Sequence, residues 1–211
     1  MPKNRRAAAD RGGADAPVFL RALEAEDVVR THRWHNDPAL YETLGGTFRH
    51  VSMAVEEEWL RKARLGSSGE VSLAICLREK GTHMGNVYLR DIDWVSRRAE
   101  LHILIGEGTH RGRGFGEAAV RLLVRHAFRD LGLRRIYLFV LATNAPAIRV
   151  YEKCGFVVEG TLREHTLKGG AFRDVLLMGV LSGKEQESSD TTGRRGVSGP
   201  RAPRRTGPGD E

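Results

Sequence analysis

Cysteine is scarce in this chain: Cys76 and Cys154 are the only two. A disulfide framework or a thiol metal site needs cysteines and partners at telling spacings, and none stand here. Each cysteine lies in an apolar, patterned segment, which reads as a buried free thiol. No metal is expected. Long hydrophobic runs are missing too, so no segment reads as a bilayer span and no membrane partner is expected. The amino terminus, MPKNRRAAADRGGADAP, lacks the apolar stretch of a secretion signal. These absences point to the cytoplasm. Zinc-finger, helix-turn-helix and RNA-binding sheet motifs are also absent. The net charge of +7 is dispersed along the chain. Attraction to an anionic cofactor, or solubility, accounts for it without nucleic acid as a partner.

What is present suits one domain. A chain of 211 residues with 40% hydrophobic content can bury a sizeable core. Residues 1–16 are expected to be disordered, as is the tail 184–211, rich in Gly, Ser, Thr, Pro and Arg. That tail carries six basic residues against five acidic ones, so it is no polybasic arm. The domain is expected over 17–183.

Within it, Arg111-Gly112-Arg113-Gly114-Phe115-Gly116 follows a strand-like run, Leu101-His102-Ile103-Leu104-Ile105, and opens an amphipathic helix. A glycine-rich turn that feeds a helix start leaves main-chain N–H groups without partners. With the positive end of the helix dipole they form a site for a phosphate or pyrophosphate. A Walker A loop would need Lys and Ser or Thr where Glu117 and Ala118 stand, and the glycine spacing does not fit the dinucleotide fingerprint.

The segments that follow add context. Val120, Leu123, Val124, Ala127, Phe128 and Leu131 fall at helical spacing on one face, and Gly132 suits the stop. The run 135–141 reads as a strand buried on both faces, giving a strand, loop, helix, strand unit with parallel strands. Next, Asn144 suits an N-cap, Pro146 a first turn and Gly155 a C-terminal cap, so a short helix presents Tyr151 about two turns along. Upstream, 18–23 and 71–77 read as strands, 26–36 and 55–64 as helices, and Ser52 as the cap of the second. A hairpin through 79–82 leads to a strand over 84–91.

Arg111-x-x-Gly114-x-Gly116 resembles the pyrophosphate loop of the GNAT superfamily of N-acetyltransferases. Asn144 to Phe156, with Ala147, Ile148, Tyr151 and Gly155, resembles that family's second signature, in the right order. Arg97-Arg98-Ala99-Glu100-Leu101, Trp34-His35-Asn36-Asp37-Pro38 and a closing hairpin around Lys168-Gly169-Gly170 resemble the branch that includes spermidine acetyltransferases and the enzymes of ribosomal-protein N-termini. The likeness covers about 17–182 and is strongest over 97–178. It implies an α/β (α+β) fold with a mixed, mostly antiparallel central sheet and helices on both faces. It also implies acetyl-CoA as acyl donor.

By that resemblance, residues 111–116 wrap the pyrophosphate, and Ile103, Leu104 and Ile105 lie beside the pantetheine arm and pair with its amides. Asn144 reaches the pantetheine from its cap position, and serves as the cap itself in any case. Tyr151 is the candidate general acid: its reference pKa of about 10 keeps it protonated at neutral pH. Glu100 is the candidate base on the amine, through water. His102, with a reference pKa of about 6.5 and the same strand face under simple alternation, competes with it. Glu100 as a surface ion-pair partner of Arg97 or Arg98 is the alternative. Asn36, Asp37 and Glu42 could line the acceptor pocket or simply form a turn.

The activity expected is transfer of an acetyl group to a primary amine of a small molecule by direct attack, with no covalent enzyme intermediate. A protein N-terminus, such as that of a ribosomal protein, is the second acceptor class. A non-catalytic CoA-binding protein and an RNA- or ribosome-binding protein are rival readings. A homodimer is compatible with each of them.

Overall fold

The computed structural model describes residues 16–183; the expected disordered segments lie almost wholly outside that range. Seven strands form one sheet in the order β1-β2-β3-β4-β5-β7-β6. The strands are β1 Val18–Ala22, β2 Val71–Leu77, β3 His83–Asp93, β4 Arg98–Ile105, β5 Arg135–Leu141, β6 Val157–Lys168 and β7 Ala171–Leu181. Every neighbouring pair is antiparallel except β4 with β5. The mixed, mostly antiparallel sheet is therefore present.

Helices cover both faces. On one side lies α4, Phe115–Arg129, with α5, Ala145–Lys153. The apolar stripe of α4 (Val120, Leu123, Val124, Ala127) is fully buried against Val87, Leu89, Ala99, Leu101, Ile136 and Leu138 of the sheet. Each such side chain contributes roughly 1.5–3 kcal/mol by leaving water. On the other side lie α1 Val28–His35, α2 Pro38–Tyr41 and α3 Met53–Leu65. Leu60 of α3 packs on Ala74 and Cys76, and Trp34 of α1 packs on Leu104. Ala74, Ile75 and Cys76 are all buried because helices press on both faces of β2. Cys76 and Cys154 are buried and form no disulfide.

Local sequence accounts for the helix ends. Ser52 accepts from the Val55 N–H, Asp37 from Ala39 and Leu40, and Asn144 from Ala147. Gly132 and Gly155 take positive φ, +66° and +88°, where the chain leaves α4 and α5. Helix α4 starts at Phe115, so Phe115 and Gly116 of the glycine-rich run belong to its first turn. The short helix α2 comes from Asp37 and Pro38, an N-cap followed by an N1 proline that also reads as a plain turn.

A cofactor cleft and an acceptor face

The parallel ladder between β4 and β5 is short. It joins Arg98 to Arg135, Ala99 to Ile136 and Glu100 to Tyr137, and goes no further. Beyond Glu100 the two strands part, although β4 stays paired with β3 up to Ile105. One edge of β4 over Leu101, Ile103 and Ile105 thus has no strand partner, the arrangement that an amide-bearing arm could complete as an added strand. The Ile105 carbonyl accepts from Arg111 Nε at 3.2 Å, which pins the start of the phosphate loop to the end of the strand.

Gly112 and Gly114 hold φ of +72° and +79°, and Gly114 is the left-handed N-cap of α4. The first main-chain bond of the helix runs from the Ala118 N–H to the Gly114 carbonyl. No main-chain carbonyl among the described residues accepts from the N–H groups of 112–117. A Cβ on Gly112 or Gly114 would meet nothing within 4 Å, so the turn is open to a ligand. Arg113 lies over the Phe115 ring at 5.2 Å. These are the features a diphosphate needs: free donors, a helix dipole and nearby cations.

Glu100 and His102 project from the same face of β4, and their Oε1 and Nε2 atoms lie 2.9 Å apart. Glu100 therefore pairs with His102 rather than with Arg97 or Arg98. Arg97 donates instead to the Gly132 carbonyl, and Arg98 pairs with Asp93. Tyr137, opposite Glu100 across the ladder, has its phenol pushed up by burial and by the negative charges of Glu100 and Asp91. Its ring meets Phe139 edge-on, and Phe139 lies nearly parallel to His165.

Tyr151 sits on α5, packed against the main core and against Phe156 at 5.9 Å. Burial, with a smaller contribution from Cys154, pushes its hydroxyl up to about 12. No protein group among the described residues hydrogen-bonds that hydroxyl, which stays a protonated donor at neutral pH. Cys154 Sγ donates to the Glu117 carbonyl at 3.7 Å and ties the end of α5 to the first turn of α4.

Asn144 is more committed than its sequence position suggests. Its Oδ1 caps α5, and its Nδ2 donates to the Thr43 carbonyl at 2.9 Å. One amide hydrogen remains. Thr166 donates to the Gly45 carbonyl at 3.3 Å, and Lys168 to the Tyr41 carbonyl at 2.7 Å and to that of Gly46. Burial lowers the Lys168 ammonium pKa, opposed by Glu42. Residues 42–51 thus form a strap held by α5 and β6. The Asn36 amide clamps the Val51 N–H and carbonyl and the His32 carbonyl. Asp37 is spent as a cap, and Glu42 is exposed.

The acetyltransferase (GNAT) domain profile matches residues 18–157. The chain belongs to the GNAT family. Spermidine N(1)-acetyltransferase of Vibrio cholerae is 31% identical over 177 residues, 83% of this chain and 99% of that protein. L-amino acid N-acetyltransferase of Escherichia coli is 38% identical over 166 residues, 76% of this chain and 96% of that protein. The crystal structure of the Vibrio cholerae spermidine N-acetyltransferase with CoA and spermine superposes with a TM-score of 0.73 at 30% identity, covering 79% of this chain and 96% of that one. As a GNAT member this protein is an N-acetyltransferase that uses acetyl-CoA. No helix among the described residues is long and apolar enough to cross a membrane.

Proposed function

We propose that the acetyl group passes directly from acetyl-CoA to the amine, with Glu100 and His102 acting together as the base and Tyr151 as the acid. An alkyl ammonium has a reference pKa of about 10, so its lone pair is masked at neutral pH until a proton leaves. The Glu100–His102 pair accepts that proton, directly or through water. The new N–C bond forms as the C–S bond breaks, and the departing thiolate takes the Tyr151 proton. Residues 112–117 hold the diphosphate through main-chain N–H groups, the free edge of β4 holds the pantetheine, and the remaining Asn144 amide hydrogen supports it. The single observation that carries this reading is the contact of 2.9 Å between Glu100 and His102 at the point where β4 and β5 separate.

The strap supports a small acceptor over a peptide. It is tied across to Asn144, Thr166 and Lys168, whereas a protein N-terminus needs an open groove. Calorimetry with CoA, followed by a thiol-release assay across an amine panel, tests the proposal. Uptake of CoA in the micromolar range with turnover of at least one small amine is expected. A folded protein that takes up no CoA would refute it.

A further inference from the structure

We propose that the acceptor is an α-amino acid, with its amine at Glu100 and its carboxylate at Arg90. This narrows the acetyltransferase reading above and rests on it. Arg90 of β3 stands directly opposite Glu100 of β4, which stands opposite Tyr137 of β5. Opposed residues on one sheet face have Cβ atoms about 5 Å apart, well within reach of an ion pair. Yet no ion pair joins Arg90 to Glu100 among the described residues, and Glu100 turns to His102.

Arg90 lies over the Tyr88 ring at 5.0 Å, which fixes the guanidinium on this face. None of its N–H groups makes a hydrogen bond to the described residues, and its Nε is buried without a partner. Glu70 Oε1 stands 3.6 Å from Nε, an ion-pair contact on one side of the guanidinium that is too long for a hydrogen bond. That oxygen already accepts from Ser72 Oγ at 2.8 Å. Arg135, on the same face, is by contrast bound by both oxygens of Glu159. An arginine fork with unused donors, beside a carboxylate it does not pair with, is complementary to a zwitterion. The ligand's carboxylate takes the fork, and its ammonium takes Glu100.

A polyamine fits the same face poorly. Arg90, Arg98 and Arg135 share it. Among the acids, Glu56 sets one oxygen on His35 and buries the other without a hydrogen-bond partner, Glu70 and Glu159 face arginines, and Asp91 is exposed. Glu100 is the carboxylate directly opposite Arg90, so a second cationic group on a ligand whose amine sits at Glu100 would meet the guanidinium of Arg90.

The test compares kcat/KM for free α-amino acids, their α-carboxamides and spermidine, in the natural protein and in Arg90→Gln. Calorimetric CoA affinity reports that the variant is folded. The free acid is expected to exceed its carboxamide by about 10–100-fold, the worth of one charge-assisted pair. In Arg90→Gln that ratio should fall to near one, chiefly through KM. Equal use of acid and carboxamide, preference for spermidine, or a ratio unchanged in Arg90→Gln would each overturn the proposal and leave the acetyltransferase reading standing. CoA uptake without turnover of any amine would overturn both.

Discussion

Glu100 and Tyr137 form the last rung of the parallel β4/β5 ladder, and the sheet opens immediately beyond them. The separation exposes a strand edge that can receive a pantetheine arm, and it sets the Glu100–His102 pair beside the gap. One topological event therefore sets a free strand edge beside a paired carboxylate and imidazole.

Tyr151→Phe removes the proton donor while keeping the ring that packs on Phe156. kcat should fall by about 10²–10⁴ with CoA affinity unchanged, read by thiol release and calorimetry. Burial holds the natural hydroxyl near 12, so deprotonation of this group produces no alkaline fall in rate between pH 7 and 10. A tyrosine-dependent fall in that window would argue against the assignment.

Glu100→Gln and His102→Asn break one contact from opposite sides. If the two act as a unit, each single change lowers kcat/KM at neutral pH, and the double variant is no worse than the poorer single one. Fully additive losses in a double-mutant cycle would show that they act separately.

Gly114→Ala introduces no clash, because a Cβ there meets nothing within 4 Å. It must still adopt the left-handed conformation at φ +79°, which costs about 1–2 kcal/mol. The methyl group also intrudes on the phosphate turn. A thermal melt should drop by several degrees, and the CoA Kd should rise about tenfold or more. An unchanged Kd would move the diphosphate away from this turn.

Asp27 is a buried anion. Burial alone would raise its pKa, but Arg21 donates to both of its oxygens at 2.7 and 2.8 Å and the Glu24 N–H adds another bond at 2.8 Å. His83 Nδ1 stands 2.9 Å away, at ion-pair distance though without hydrogen-bond geometry. The favourable contacts win, and the carboxyl titrates well below its usual range. A depressed folded pKa means this stabilisation is complete above the unfolded value of about 3.9 and is lost as pH falls below it. The melting temperature should hold between pH 7 and 5 and decline below about 4. Asp27→Ala should cost about 3–5 kcal/mol by leaving Arg21 and His83 unanswered.

Much of this protein was legible from short-range chemistry. Gly112 and Gly114 mark a turn that takes positive φ and has open space beside it. Asn144, Ser52, Asp37 and Pro38 mark helix starts through groups that act within three residues. The period of Val120, Leu123, Val124 and Ala127 marks a buried face. Simple alternation also put Glu100 and His102 on the same side of their strand.

Other features come from pairings that join residues far apart in the chain, and local pattern does not encode them. The strand 135–141 looks like any buried run, so nothing in it shows that its ladder with β4 stops at Tyr137 or that Phe139 and His165 flank the opening. Arg90 reads as one more surface cation until the register sets it opposite Glu100. Asn144 reads as a cap until its free amide meets Thr43. The sequence by itself determined the glycine-rich turn, the helices and the chemistry available, because those depend on backbone freedom and side-chain type over a few residues. Tertiary structure alone decided where the sheet opens and which charges share one of its faces, because strand register and splay are set by packing across the whole sheet.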